Sequence, residues 1–361
     1  NTKIINLADL KQDLFKRLKT GINEFDRVLG GGIVLGSIVL VSGDPGIGKS
    51  TLLTQIALNL KDTLYVAGEE SAQQIKLRAD RIKQSASLKV LSETDVDVIC
   101  GVAEQIKPSL LIIDSIQSLQ TQDLSGVAGS VGQVRECAHR LQKIAKINHI
   151  PIFLVGHVTK EGTVAGPKTL EHLVDVVLSL EGDQSSQFRI LRGNKNRFGA
   201  TDEVGIFEMQ EIGMLEVKNP SKIFLETAVS LQIPGSVVVP VMNGLRPILV
   251  EIQALVTKSS LPSPRRTGSG VDNNRLQLLV AVLQRRIGLP LFDQDIFVNV
   301  TGGLKVVEPA ADLGICMAIF SSFKDRVIVK KTAVLGEVGL LGEIREVRFL
   351  EKRVEEAKKL G

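Results

Sequence analysis

Ser42-Gly43-Asp44-Pro45-Gly46-Ile47-Gly48-Lys49-Ser50-Thr51 satisfies the pattern G-x-x-x-x-G-K-[ST] and has the flanks that pattern requires. An apolar, β-branched run precedes it, Ser37-Ile38-Val39-Leu40-Val41, and a helical pattern follows, Leu52-Leu53-Thr54-Gln55-Ile56-Ala57-Leu58. The glycines let successive backbone N–H groups turn inward around a phosphate, and the new helix presents its positive end to the same anion. The expectation is a nucleotide site. Gly43 through Thr51 wrap the phosphates, Lys49 reaches the β- and γ-phosphates, and the Ser50 hydroxyl ligates Mg²⁺.

Outward from this loop, residues 1–218 alternate strand and helix patterns. Strands are predicted at 38–41, 63–67, 110–114, 151–157 and 174–181, with helical periodicity between them, as at 50–60 and 134–148. That alternation predicts a mostly parallel α/β sheet, helices on both faces and ligands at the carboxyl ends of the strands. A meander at 188–192 and 205–209 reads as antiparallel, and Asn219-Pro220 marks a boundary. Residues 219–361 follow a different, α+β order: strands at 235–241 and 248–256, a Pro/Ser/Gly-rich segment at 259–270, a helix at 273–287, a strand at 295–301, and a helix opened by Pro309. Two domains are expected, 1–218 and 219–361.

Leu110-Leu111-Ile112-Ile113-Asp114 is an apolar strand ending in a carboxylate. Beside a phosphate loop, Asp114 is placed to hold Mg²⁺ directly or through water. Leu64-Tyr65-Val66-Ala67-Gly68-Glu69-Glu70-Ser71 puts two carboxylates past another strand. One of them suits the polarisation of an attacking water, and the other suits a helix start. Arg192-Gly193-Asn194-Lys195-Asn196-Arg197-Phe198-Gly199 carries three cations around a hairpin turn. It reads either as a solvated basic turn or as a cationic finger for a neighbouring subunit's nucleotide, a device worth roughly 10³–10⁵ in rate. Gly-rich stretches at 121–133 and 159–168, the second with Lys160 and Lys168, fit loops that track a phosphate backbone and equally fit mobile surface loops. His157 ends a strand and is a candidate γ-phosphate sensor.

With 361 residues and 43% hydrophobic content, the chain can build two cores. No apolar run is long enough for a membrane helix. Cys100, Cys137 and Cys316 are far apart and lack metal-ligand spacing, which favours a reducing cytoplasm and free thiols. A net charge of +4 is too mild to identify a nucleic-acid partner by itself. With no Trp and one Tyr, base stacking would rest on Phe, Arg or Tyr65. Residue 1 is Asn, and the helical run at 351–360 reaches the last residues. We therefore expect a chain trimmed at one or both ends, without a signal peptide.

Taken together, the segments Gly43 to Ser50, Gly68-Glu69-Glu70-Ser71, Leu111-Ile112-Ile113-Asp114-Ser115 and above all Lys195-Asn196-Arg197-Phe198-Gly199 resemble the bacterial RadA (Sms) DNA-repair ATPases. The resemblance covers nearly the whole chain and implies a RecA-like P-loop ATPase domain followed by an α+β Lon-protease-like domain. It further implies ATP and Mg²⁺ as cofactors and Glu69 as the catalytic glutamate, with Lys49 and Asp114 beside it. Lys195 and Arg197 become finger residues acting across subunits, and single-stranded DNA falls at 121–133 and 159–168. Family members form homo-hexameric rings that move on single-stranded and branched DNA, interact with RecA and promote branch migration.

Two departures from the family stand out. The family's four-cysteine zinc finger has no counterpart here, so zinc is not expected in this chain. Glu308-Pro309-Ala310-Ala311-Asp312 offers Ala310 where the protease has its serine, and Glu351 stands where it has its lysine. Without a hydroxyl nucleophile and a base no peptidase activity is expected. Lys258, Arg265, Arg266, Arg275, Arg285 and Arg286, against Asp272 alone, then read as a DNA-facing surface or as a solvated face. The expected function is that of a DNA-stimulated ATPase motor of recombinational repair. A KaiC-like signalling ATPase and a Lon-type peptidase are the alternatives.

Overall fold

The computed structural model describes residues 17–157, 167–182, 187–225, 233–329 and 331–360. The chain divides into two compact units, Asn1–Val217 and Lys218–Gly361. The described part of the first unit begins α1 (Asn23–Val28), β1 (Ile38–Gly43), α2 (Lys49–Asn59), β2 (Thr63–Ala67), α3 (Ala72–Ile82), β3 (Lys89–Leu91) and α4 (Val96–Ile106). It continues with β4 (Leu110–Asp114), α5 (Val131–Asn148), β5 (Ile152–His157), α6 (Pro167–Leu170), β6 (Val176–Glu181), β7 (Phe188–Asn196), β8 (Val204–Gln210) and β9 (Gly213–Glu216).

Among the described residues, these strands form a nine-stranded sheet in the order β3-β2-β4-β5-β1-β6-β7-β8-β9. The first six of these are parallel, and β6 to β9 are joined antiparallel. The central strands are buried on both faces, which their continuous apolar runs require. Alternate residues feed two separate cores. Val39 and Val41 pack with Leu52, Ile56 and Phe153 on one face, while Ile38 and Leu40 pack with Ile99, Val134 and Leu141 on the other. Helix α5 closes the second core with Val134, Cys137, Ala138, Leu141 and Ala145, an i, i+3, i+4 stripe.

The chain runs from β1 toward β2 and β3, returns through β4 and β5, and then places β6 on the far side of β1. The carboxyl ends of β1, β5, β4 and β2 are consequently neighbours, which is where an open α/β sheet binds ligands. Strand β7 runs longer than expected, to Asn196, because its pairing with β6 continues to Val176↔Asn196. Lys195 therefore belongs to a strand, and Arg197 to the turn after it.

The described part of the second unit holds α7 (Pro220–Leu225), β10 (Ser236–Asn243), β11 (Arg246–Lys258), β12 (Arg266–Ser269), α8 (Asn273–Val282), β13 (Gln294–Val300), α9 (Asp312–Lys324), β14 (Glu337–Val338), β15 (Ile344–Arg345) and α10 (Leu350–Lys359). Its main sheet runs β10-β11-β13-β12, and β12–β13 is its parallel pair among the described residues. The helix expected over 273–287 is α-helical only to Val282; Leu283–Ile287 continue as a π-helical turn capped by Gly288. The three cysteines are free. Burial pushes the Cys100 thiol up to about 11 and those of Cys137 and Cys316 to about 12, so all three behave as apolar side chains.

Candidate nucleotide site

The phosphate loop leaves β1 at Gly43 and enters α2 at Lys49. Gly48 caps the helix at φ 111°, a left-handed conformation that favours glycine, and a Cβ there would stand 2.2 Å from Met214 Cε. Lys49 is 3% exposed, and its ammonium donates to the carbonyls of Gly43 at 2.8 Å and Asp44 at 3.0 Å. Burial draws its pKa down, while the Asp114, Asp44 and Glu69 carboxylates oppose the fall. The cation is thus folded over the loop it would serve.

Strands β2 and β4 pair with Ala67 opposite Asp114, which brings Glu69 and Asp114 to one edge. The turn between β2 and α3 is tight: at Gly68 a Cβ would lie 1.8 Å from Ser118 Oγ, while the Gly68 N–H donates to the Asp114 carbonyl at 2.8 Å. The two glutamates then diverge. Glu69 accepts a hydrogen bond from Ser115 Oγ and lies 3.6 Å from His157 Nε2. Those partners, His157 foremost, hold its carboxyl below the usual range although its side chain is 47% exposed. Glu70 instead pairs with Arg78 of α3, Nη1 to Oε1 at 2.9 Å and Nη2 to Oε2 at 2.6 Å. Neither begins a helix: α3 is capped by Ser71 and Gln74 in a reciprocal box.

Asp114 is buried, and its Oδ2 accepts the Tyr65 hydroxyl. The peptide bond from Asp114 to Ser115 is cis. Tyr65, a possible base-stacking ring from sequence, is wholly buried in β2 and cannot reach a base. Burial, reinforced by Asp114, raises its pKa well above that of a free phenol, so it remains a donor. The hard oxygens of Ser50 and Asp114, with the Lys49 cation between loop carbonyls, fit a Mg²⁺–nucleotide pair.

The finger residues lie elsewhere. Lys195 Nζ donates to the carbonyls of Glu171 and, at 2.8 Å, Val174. Arg197 Nη1 sits 3.3 Å from Asp175 Oδ1, with its side chain 53% exposed. Asp175 is 1% exposed and also accepts from the Ile38 N–H at 3.1 Å and from Lys146. Because β6 is parallel to β1, this cluster stands at the amino end of the sheet. Ile38 and Gly43 are five residues apart along β1, so roughly 16 Å of strand separates the cluster from the phosphate loop.

A family model described as a family of unknown function (DUF7125) matches residues 17–200. The DNA repair protein RadA of Bacillus subtilis is 54% identical over 350 residues, covering 96% of this chain and 76% of its own length. That of Streptococcus pneumoniae is 51% identical over 364 residues, covering 100% and 86%. That of Halalkalibacterium halodurans is 52% identical over 360 residues, covering 98% and 79%. The chain belongs to the RadA family of DNA repair proteins. Its architecture is the α/β one expected, a RecA-like ATPase fold followed by an α+β Lon-protease-like fold.

In this RadA-family chain several sequence readings change. The 121–133 stretch is not loose throughout. Gln133, buried, accepts from the Thr121 N–H at 2.8 Å and donates to the carbonyls of Thr121 at 3.1 Å and Leu124 at 2.8 Å. Lys168 is exposed on α6, and Lys160 lies outside the described residues. The basic stretch 258–286 is less positive than it reads. Arg265 pairs with Asp295 at 3.0 Å and lies 5.4 Å from the centre of the Phe297 ring, and Arg275 pairs with buried Asp312. Both acids come from outside the segment, so local charge counting could not see them. Arg266 is half-buried in β12. Ala310 is buried in a short 3₁₀ turn, Glu351 is exposed in α10, and beside them buried Arg353 forms a two-pronged ion pair with Glu308.

Sequence reasoning missed Tyr65, Arg78 and Thr54 as parts of the site's frame, and Asp175 as the partner of Arg197. Two signals were available. A tyrosine inside an aliphatic buried strand needs a polar partner, and Arg78 follows Ile75 by three residues on the buried face of α3.

Proposed function

We infer that this chain is a Mg²⁺-requiring, DNA-stimulated ATPase that works as a hexameric ring on single-stranded and branched DNA. In recombinational repair it promotes branch migration of RecA-made intermediates in the cytoplasm. Residues 1–218 form the motor. Residues 219–361 are a Lon-like scaffold without peptidase activity, whose Arg265 and Arg266, with Lys160 and Lys168 of the first unit, face DNA.

One observation carries the reading: the phosphate loop and the Lys195–Arg197 cluster lie at opposite ends of one sheet. A cationic finger that cannot reach its own nucleotide serves a neighbour's. ATP is then bound by Gly43 to Thr51 of one subunit, with Lys49 on its terminal phosphates and Ser50 and Asp114 holding Mg²⁺. That ion supplies charge neutralisation on the phosphates. Glu69 orients and deprotonates the attacking water, His157 senses the γ-phosphate through Glu69, and Lys195 and Arg197 arrive from the next subunit.

Mixing variants tests the arrangement. Lys49→Ala and Arg197→Ala are each expected to be inactive in DNA-stimulated ATP hydrolysis, with Arg197→Ala still binding nucleotide. Mixed in one ring, the intact loop of one meets the intact finger of the other, and turnover returns in part. If Arg197→Ala alone hydrolyses ATP at the wild-type rate, the finger does not act across subunits. Turnover indifferent to DNA, or to salt in its presence, contradicts a DNA motor.

A further inference from the structure

Asp114 has two carboxylate oxygens, and the structure commits one of them. Oδ2 takes the hydroxyl hydrogen of Tyr65. Arg78 sets the direction of that bond. Its Nη2 lies 3.4 Å from the phenol oxygen, and a guanidinium can only donate. The phenol oxygen therefore accepts from Arg78 and gives its own hydrogen to Asp114, leaving Oδ1 for a metal or a metal-bound water.

The same guanidinium reaches the other metal-facing residue. Nε of Arg78 donates to Thr54 Oγ1 at 3.1 Å, and Thr54 Oγ1 donates to the Ser50 carbonyl at 2.6 Å, one helical turn back. Glu70 anchors the outer edge of the fork through both nitrogens. The side chain is 12% exposed, so these bonds face little competition from water. One planar cation thus reaches the Asp114 carboxylate through Tyr65 and the Ser50 backbone, at its carbonyl, through Thr54, so it ties the first turn of α2 to the end of β4.

We propose that Arg78 is a positioning residue for Mg²⁺: acting through Tyr65 and Thr54, it fixes how Asp114 and Ser50 face each other, so that the metal tightens nucleotide binding. The inference rests on the ATP-site reading above. Arginine is needed because three donors must leave one plane in different directions, and a lysine ammonium, a point charge on a flexible stem, cannot span them. Groups that orient metal ligands typically contribute about 10–100-fold to metal affinity.

The test measures binding, not turnover. A fluorescent ADP is titrated into the full chain with Mg²⁺ and again with EDTA, and the ratio of the two Kd values is the readout. Tyr65→Phe keeps the ring in the core and Arg78→Lys keeps the charge beside Glu70, so both variants preserve the bulk of the packing. Each is expected to lose about tenfold of the wild-type ratio with little change in EDTA. An unchanged ratio in both variants overturns the proposal. So does equal weakening in both buffers, which marks Arg78 as a support of the fold alone. A wild-type chain that binds ADP in neither buffer removes the ATP-site reading itself and this inference with it, so the two failures are distinguishable.

Discussion

His157 Nε2 stands 3.6 Å from Glu69 Oε2, so the ends of β5 and β2 meet across the intervening β4. A group that donates to the ionised carboxylate stabilises that form and lowers its pKa. For Glu69 the His157 contact is the largest such influence and Ser115 adds to it. A catalytic base must be ionised, so raising its pKa costs activity at the acid end. His157→Ala is expected to move the acid limb of the kcat–pH profile to higher pH, and Ser115→Ala to move it the same way by less. A profile that keeps its acid limb in both variants argues against Glu69 as the base.

Glu69→Gln keeps the shape of the side chain and removes its charge. ATP hydrolysis is expected to fall about 10²–10⁴-fold, the usual contribution of a general base. Nucleotide affinity, measured by titration with Mg²⁺–ADP, should change little. A matching loss of affinity places Glu69 in ground-state binding instead.

Gly48 holds φ 111° at the start of α2 and faces Met214 Cε. Gly48→Ala strains the backbone by about 1–3 kcal/mol and pushes the methionine aside. Lower thermal stability and weak ADP binding are expected together. Met209 Cε stands 2.6 Å from the same position, so Met209→Ala and Met214→Ala are added together; they relieve the clash but not the dihedral, and the triple variant should retain most of the defect. Full recovery in the triple variant makes crowding the sole cause.

Arg353 is buried in α10, donating to Glu308 and, at 2.7 Å, to the Pro240 carbonyl. Arg353→Ala takes both guanidinium bonds from Glu308, which among the described residues keeps only the Met242 N–H at 2.6 Å, a loss of about 3–5 kcal/mol. Hydrogen exchange at β10 and α10 should speed up by the corresponding factor. Unchanged protection at both elements means that the pair is screened and contributes little.

The phosphate loop, the Asp114 strand and the two-unit order were legible along the chain because each is a local pattern. Gly43 to Ser50 is a contiguous stretch whose glycines and helix start state their own geometry, and 110–114 is an apolar run ending in an acid. The different surroundings of Glu69 and Glu70 were not legible from the residues themselves, and only the family resemblance singled out Glu69. They depend on Ser115, His157 and Arg78, which reach the two glutamates from β4, β5 and α3. Charge counting over 258–286 failed for the same reason, since Asp295 and Asp312 enter from later elements.

By itself the sequence supplied a phosphate-loop pattern with its lysine and an apolar strand ending in Asp114, and it carried the Lys195 to Gly199 pentapeptide on which the family resemblance rests. Tertiary structure alone decided how that loop is supported and what it lacks. Tyr65 meets Asp114 across 49 residues and Arg78 across 13, while Arg197 meets Asp175 at the far end of the sheet. The physical reason is that side-chain hydrogen bonds depend on strand register and helix rotation, which are properties of the whole packed sheet. The loop at Gly43 is a local object; the side chains that frame it and its distance from Arg197 are global ones.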